Sequence, residues 1–215
     1  MATTRLSLYN LALEAAGERP IDSLDEDREP RRLLDAVWTA GNGLVRYCLE
    51  QGLWNHAMRA VRLDASATVT PSFGWSYAFD KPTDFVRLNQ ISADETFSLP
   101  LNRYEVERNY FVADTDPIYM RYVSDDGDWG NDLSQWPETF TMWVGHYMAC
   151  RIGPRLKNDL DMERLEKRTK RLLIDARSKD AQQEPVRFPP MGSWSSARMG
   201  GSGRRDRGSR TTLIG

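Results

Sequence analysis

Apolar residues recur every three or four positions at the start of the chain. Between Thr4 and Gly17 they are Leu6, Tyr9, Leu13 and Ala16. This spacing predicts a helix over residues 4–17 with one buried face. Thr3 or Thr4 is the expected N-cap, and Gly17 is the expected C-terminal stop.

A second helix is predicted over about residues 29–51. Its apolar stripe consists of Leu34, Val37, Trp38, Gly41, Leu44, Val45 and Cys48. Pro30 suits the first turn of a helix. Gly41 and Gly43 each cost on the order of 1 kcal/mol in a helix interior, so we expect close helix–helix packing at these positions.

The hydrophobic period changes to two in the next part of the chain, which predicts a β insertion over about residues 54–123. Trp75, Tyr77 and Phe79 alternate with Ser76, Ala78 and Asp80, as in a half-buried strand. β-branched and aromatic residues favour further strands at 60–63, 85–91, 106–112 and 118–123. Prolines separate these segments. We expect one small, largely antiparallel sheet.

The acidic, glycine-containing stretch 124–135 predicts a loop, after which the helical period returns. Helices are predicted over 137–153, ending at Gly153-Pro154, and over about 159–180. The last helix contains the i,i+4 pairs Glu163–Lys167 and Glu166–Lys170. The fold class is therefore α+β: a core of about four helices with an inserted antiparallel sheet, forming one domain over 1–181.

Charge divides the 215 residues unevenly, although the net charge is only −2. Residues 182–215 contain six arginines, Glu184 and Asp206, whereas the preceding residues are net acidic. This C-terminal tail is rich in Pro, Gly and Ser, which predicts a segment that orders only when a partner binds. Phe188, Met191 and Trp194 are its candidate anchors. An acidic body with a basic tail implies that the tail has a partner of its own.

Templates of common catalytic sites do not fit the sequence. It has no glycine-rich phosphate loop, no nucleophile elbow and no zinc-protease helix. Cys48 and Cys150 lie in apolar helical stretches, so they are interpreted as inert thiols, and His56 and His146 as structural histidines. We therefore expect no cofactor and no catalytic residue. The pattern also predicts no signal peptide and no membrane span, and hence synthesis in a cytoplasm.

Two alternatives to a purely structural role remain open. The loop 125–132 has four aspartates and an asparagine that could ligate calcium, as in a metal-assisted hydrolase. Counted from Asp126, however, Gly130 and Pro137 stand where the helix–loop–helix calcium template needs ligands, which favours a solvated loop. The second alternative is a nucleic-acid-binding module acting through the arginine-rich tail. Aromatic residues are sparse there, so docking on an acidic protein surface is at least as well supported.

The order of motifs resembles the head–tail connector (adaptor) family of tailed bacteriophages, which includes tail tubular protein A of short-tailed phages. The most specific segment is 73–88 (FGWSYAFDKPTDFVRL), in which Lys81 departs from the family's usual leucine and predicts one lost hydrophobic contact. The other resembling segments, in chain order, are 8–13 with Gly17, 21–24 (IDSL), 34–38, 52–57 (GLWNHA), 136–140 (WPETF), 176–181 (ARSKDA) and 190–194 (PMGSW) with Ala197-Arg198.

The resemblance implies a structural protein of the virion neck. Twelve copies of such a protein form a ring beneath the portal vertex after DNA packaging, extend the DNA channel and offer a platform for tail proteins. The carboxyl-terminal segment reaches toward the portal. The expected portal-binding residues in this chain are Arg187, Phe188, Met191, Trp194, Arg198, Arg204 and Arg205.

Overall fold

A computed structural model describes residues 3–98, 100–156 and 161–183 of the chain. These residues form an α+β fold, as predicted, with five helices and two small antiparallel sheets. The helices are α1 (Arg5–Ala15), α2 (Glu29–Thr39), α3 (Leu44–Glu50), α4 (Glu138–Leu156) and α5 (Met162–Gln182). The predicted tail, 182–215, lies almost wholly outside the described residues.

Local sequence explains the ends of α1. Thr4 and Ser7 form a capping box, in which the Ser7 N–H donates to Thr4 Oγ1 (3.1 Å) and the Thr4 N–H donates to Ser7 Oγ (2.9 Å). Gly17 follows with φ +71°, a conformation that ends helices and favours glycine. The predicted first helix is confirmed, with Thr4 as its N-cap.

The prediction of one helix over 29–51 is wrong, because α2 and α3 are separated by a turn at residues 40–43. Gly41 (φ +62°) and Gly43 (φ +94°) both adopt left-handed conformations there, which no α-helix contains. A Cβ built on either glycine meets nothing within 4 Å. The expected close helix packing at these glycines is therefore also wrong; their role is conformational.

The β insertion forms two three-stranded sheets, which corrects the prediction of one. The inner sheet has the order β1-β6-β3, from β1 (Met58–Leu63), β6 (Ile118–Ser124) and β3 (Phe85–Ser92). The outer sheet has the order β2-β5-β4, from β2 (Tyr77–Asp80), β5 (Tyr110–Ala113) and β4 (Tyr104–Val106). All strand pairs are antiparallel.

Two strand predictions need correction. The segment 106–112 is not one strand, because the chain reverses after Val106 into the β4–β5 hairpin, where the Glu107 N–H donates to the Tyr110 carbonyl (2.9 Å). The alternation predicted for 75–80 also fails: Tyr77 is exposed, whereas the adjacent Ala78 and Phe79 are both buried. Ser66 donates its N–H to the Ala78 carbonyl (2.7 Å), which brings the preceding loop over this edge strand.

The two larger hydrophobic cores arrange the elements in three layers. The larger core joins the helices to one face of the inner sheet, with Trp54, Phe140 and Val123 among its buried members. The second core lies between the two sheets and includes Phe79, Phe111 and Met120. The order of layers is therefore helices, inner sheet, outer sheet. Within the helical layer, α4 packs against α1, α2 and α5.

The closing helices match the predicted positions but not every end. α4 continues to Leu156, past the end predicted at Gly153-Pro154. The helix thus contains Pro154, two residues before its end. α5 begins after Asp161, whose side chain accepts from the Arg164 N–H (3.0 Å). Within α5, Glu163 pairs with Lys167 at 2.5 Å, as predicted.

None of the described helices is long and apolar enough to cross a membrane.

Gly130 and Gly127 provide a matched test of packing in the acidic loop. A Cβ on Gly130 would lie 2.5 Å from Leu49 Cδ1 and closer still to the Ser124 carbonyl oxygen, whereas a Cβ on Gly127 meets nothing within 4 Å. We predict that Gly130→Ala lowers the free energy of unfolding by at least about 2 kcal/mol, because a backbone atom must move. Gly127→Ala should stay within about 0.5 kcal/mol of the wild type. Urea unfolding of the two variants measures the difference, and equal stabilities would contradict this packing.

Candidate interaction surfaces

The seven predicted portal-binding residues lie outside the described part of the chain. They are Arg187, Phe188, Met191, Trp194, Arg198, Arg204 and Arg205. The structure does describe the helix that precedes them. α5 ends at Gln182, and Gln183 is its C-cap.

The last turns of α5 are fixed to the junction between α3 and β1. The Asn55 N–H donates to the Asp180 carboxylate (3.1 and 3.2 Å), and Asn55 Nδ2 donates to the Asp180 carbonyl (2.8 Å). Arg177 donates to the Gln51 carbonyl. Both segments were singled out in the sequence, but their contact with each other was not predicted.

A second polar network centres on Asp84, which directly precedes β3. Its carboxylate accepts from Arg59 (2.9 Å), from Ser124 Oγ (2.5 Å) and from the Tyr122 hydroxyl (3.0 Å). Burial acts to raise the pKa of Asp84, but the hydrogen bonds from Ser124, Tyr122 and Arg59 hold it below its ordinary value. Asp84 is thus an ionised structural group that joins β1, β3 and β6.

The aspartates of the acidic loop 125–132, which the sequence left open as calcium ligands, are directed to separate partners. Asp125 pairs with Arg46 of α3, and Asp126 lies 3.9 Å from Arg59. Asp132 accepts from the Ser134 N–H (3.0 Å), which begins a short 3₁₀ helix, and Trp136 Nε1 donates to the Gly130 carbonyl (2.9 Å). Among the described residues, no group of three or more His, Cys, Asp or Glu side chains could hold a metal ion.

The two histidines occupy apolar or internally bonded positions. His56 packs against Phe140 (ring centroids 4.8 Å apart), and its ring nitrogens are shielded from solvent without a hydrogen-bond partner in the described structure. Burial lowers the pKa of His56 to about 4. His146 Nδ1 lies 2.9 Å from the Met142 carbonyl, and burial lowers its pKa as well. Both histidines are therefore expected to be neutral at pH 7.

Both cysteines are free thiols in the helical layer. Cys48 is buried, and burial raises the pKa of its thiol. Cys150 is half-buried, and its Sγ lies 3.2 Å from Thr169 Oγ1. Burial also raises the pKa of Cys150, which lowers its thiolate fraction at neutral pH and therefore its reactivity.

A groove that the sequence did not indicate crosses the helical layer. Tyr47 of α3 stacks on Tyr147 of α4, with ring centroids 5.2 Å apart and planes inclined by 18°. Cavities of 370 Å³ and 250 Å³ flank this stack. We call the larger cavity with the stack the tyrosine groove. Its walls and rim include Trp143, Cys150, Arg151, Thr169, Lys170 and Leu173.

An exposed aromatic loop precedes the outer sheet at residues 69–75. Phe73 is 87% exposed, and Gly74 (φ +78°) provides the turn beside it. The C-terminal end of this loop is anchored, because Trp75 Nε1 donates to Glu105 (3.3 Å) and the Ser76 N–H and hydroxyl both donate to Asp114 (3.1 Å each). Phe73 at the tip belongs to neither of the two larger cores.

Lys81, which stands where the resemblance implies leucine, has a structural role. Its Nζ donates to the carbonyls of Glu107 and Arg108, the latter at 3.1 Å, and lies 5.1 Å from the Phe111 ring centroid. The prediction of a lost hydrophobic contact was therefore incomplete. The lysine bonds the turn of the β4–β5 hairpin and covers an aromatic ring.

A basic stretch covers the first half of α5. Five exposed cations occur within eight residues: Arg164, Lys167, Arg168, Lys170 and Arg171. Glu163 pairs with Lys167, and Glu166 is the other exposed acid of this stretch. Lys170 also belongs to the rim of the tyrosine groove. This surface can attract an acidic protein or a nucleic-acid backbone.

Comparison with known proteins adds no relationship to this description. No protein-family model matches the sequence, and no curated protein matches it significantly.

We predict that Asp84→Asn lowers the free energy of unfolding by about 2 kcal/mol at pH 7, because charge-assisted hydrogen bonds are lost in a half-buried network. The pKa of Asp84 is lower in the folded protein than its ordinary value of 3.8. Its stabilisation is therefore present above about pH 4 and is lost as pH falls through the folded pKa. The difference in free energy of unfolding between Asp84→Asn and the wild type should therefore shrink as the pH falls below about 4.

Unfolding by urea between pH 3 and pH 7 measures this dependence. Asp128→Asn is the control, since Asp128 is exposed in the same region of the fold. Equal destabilisation by the two substitutions, or a difference for Asp84→Asn that does not change with pH, would refute the role given to Asp84.

Proposed function

We propose that this chain is a structural head–tail adaptor of a tailed bacteriophage. In this proposal copies of the chain, twelve in the virion, form a ring beneath the portal, extend the DNA channel and bind tail proteins. The protein is made in the host cytoplasm and is located in the virion neck, without a membrane partner or a cofactor.

The observation that carries the proposal is that the resembling segments supply the polar side chains that join distant parts of this fold. Asn10 bonds both the N–H (2.9 Å) and the carbonyl (3.0 Å) of Ile21, thereby linking α1 to the loop that follows. Asn55 joins α5, and Asp84 joins three strands. These contacts give the resembling segments a structural role in this fold, and a structural role for these segments supports the proposal.

A structural role also agrees with how the chemically capable side chains are used. Asp84 and Asp125 are engaged by arginines, His56 is packed against aromatic rings, and Cys48 is buried. We therefore propose a protein that acts through its surfaces rather than by catalysis.

The proposed portal contacts are the arginines and apolar anchors of the tail. The Asn55–Asp180 and Arg177–Gln51 contacts fix the helix from which the tail begins. A fixed origin reduces the conformational entropy that binding must remove. The arginines would supply charge complementarity, and Phe188, Met191 and Trp194 would supply apolar contact.

Electron microscopy of the protein mixed with assembled portal tests the proposal. Rings should decorate one end of the portal, and a chain truncated after Gln183, which retains the C-cap of α5, should bind much more weakly. Two full-length variants separate the contributions: one replaces Arg187, Arg198, Arg204 and Arg205 with Gln, and the other replaces Phe188, Met191 and Trp194 with Ser. Absence of decoration at every concentration contradicts the adaptor role. Undiminished binding by the truncated chain contradicts only the role of the tail.

A nucleic-acid-binding module is a second candidate, favoured by the basic stretch of α5 in addition to the arginine-rich tail. Phosphate contacts release counterions, so such binding should weaken steeply with salt. If this candidate is correct, the full chain binds duplex DNA without portal, and truncation after Gln183 removes most of the affinity. Salt-dependent fluorescence anisotropy distinguishes the candidates, since the adaptor proposal predicts no such binding by the isolated chain.

A further inference from the structure

We propose that copies of this chain associate head to tail, with the aromatic loop of one copy occupying the tyrosine groove of the next. This inference rests on the proposed function insofar as an adaptor ring needs a contact between neighbouring copies. It adds the two surfaces that form the contact.

The aromatic loop has the properties of an inserting element. Phe73 is 87% exposed at its tip, and Val106 and Tyr77 of the adjoining outer sheet are also exposed. The hydrogen bonds of Trp75 and Ser76 anchor the loop beside the tip. A large apolar side chain on an anchored loop loses little conformational entropy when a partner covers it, which favours binding.

The tyrosine groove has the properties of a receiving site. Its 370 Å³ lie within the range of cavities that hold compact organic groups, so an aromatic side chain can enter it. Trp143 and Leu173 give it apolar walls, and the stacked Tyr47 and Tyr147 form its side toward α3. Tyr47 remains 45% exposed although it is aromatic, which indicates a surface that a partner can cover.

Charge is complementary between the two surfaces. Residues 69–75 carry no charged side chain. Glu105, Glu107 and Asp114 adjoin the loop on the outer sheet, against Arg103, which lies over the Trp75 ring and pairs with Asp114. The groove has Arg151 and Lys170 against Glu166 at its rim, and the basic stretch of α5 continues from it. The surroundings of the loop are thus net acidic and those of the groove are net basic, and this opposition of charge favours contact between the two surfaces.

The layer order makes this contact heterologous. The loop belongs to the outer sheet and the groove to the helical layer, with the inner sheet between those layers. Each copy therefore uses one surface toward its neighbour on one side and a different surface toward the other. Contacts of this type generate closed rings or open filaments, not two-fold dimers.

Blocking each surface separately tests the proposal. Phe73→Asp alters the exposed tip of the loop, and Arg151→Glu with Lys170→Glu reverses the rim of the groove at exposed positions. Ile174→Asp is the matched control, because Ile174 is a large apolar residue, 64% exposed, outside the groove lining. Thermal unfolding confirms that each variant folds. Self-association is measured by sedimentation velocity over a concentration series and by carbodiimide cross-linking, both alone and on portal.

The wild type and Ile174→Asp should form products larger than dimers, and each blocked variant should associate at least about tenfold more weakly. An equimolar mixture of the loop variant and the groove variant should form dimers that grow no further, because each molecule keeps one intact surface. A mixture that stops at dimers, together with wild-type products larger than dimers, identifies a heterologous contact between the loop and the groove.

Three results overturn the inference: wild type without cross-linked products in either setting, a Phe73→Asp variant that associates like Ile174→Asp, and a mixture that forms no dimers. If truncation after Gln183 abolishes association while Phe73→Asp does not, the C-terminal segment, and not the loop, occupies the groove.

The outcomes also separate the two proposals. If Phe73→Asp still forms rings on portal, the loop–groove contact is contradicted and the adaptor role is supported. If the wild type forms head-to-tail products that never bind portal, the contact is supported and the adaptor role is contradicted.

Discussion

The structure depends on the need to bury both faces of the inner sheet. Its central strand, β6, directs Ile118, Met120 and Tyr122 into the core against the outer sheet, and Val123 into the core against the helices. A three-stranded sheet cannot be stable with an apolar face in water, so both neighbouring layers are required. Asp84 reinforces the end of this strand by bonding Tyr122 and Ser124.

Covering the sheet in this way distributes the surfaces of the molecule. The outer sheet carries the aromatic loop and its acidic neighbours, and the helical layer carries the tyrosine groove and the basic stretch of α5. The contact of Asn55 with Asp180 fixes the end of α5 to the start of β1, near the inner sheet. The same packing that stabilises the fold thus separates two complementary surfaces and fixes the helix that precedes the tail.

Sequence alone predicted the elements whose signals are local. α1 and α5 follow from residue periodicity and end signals, and β3 and β6 follow from the β-branched and aromatic residues within each segment. The break at Gly41 and Gly43 was missed because glycine in an apolar stripe fits either close packing or a turn, and only backbone conformation distinguishes them. The β4–β5 hairpin was missed because its turn lies between residues that favour strands on both sides. Whether six strands form one sheet or two depends on pairing between distant segments, which periodicity does not encode.

The candidate surfaces were harder to predict for the same reason. Tyr47 and Tyr147 lie far apart in the sequence, and only the packing of α3 on α4 brings them together. One signal was available: Tyr47 falls outside the apolar stripe of its helix, and an aromatic residue at such a position indicates a second contact surface. Phe73 carried a similar signal in a segment rich in proline, serine and glycine. The seven predicted tail residues remain a prediction from sequence.

The most direct test of this account is a cryo-electron microscopy structure of the chain bound to portal. The account predicts a ring in which each copy places Phe73 between Trp143 and Leu173 of its neighbour, with the residues after Gln183 in contact with portal. A portal without a ring would contradict the adaptor role. A ring in which Phe73 faces solvent would contradict the arrangement of surfaces from which the assembly is inferred.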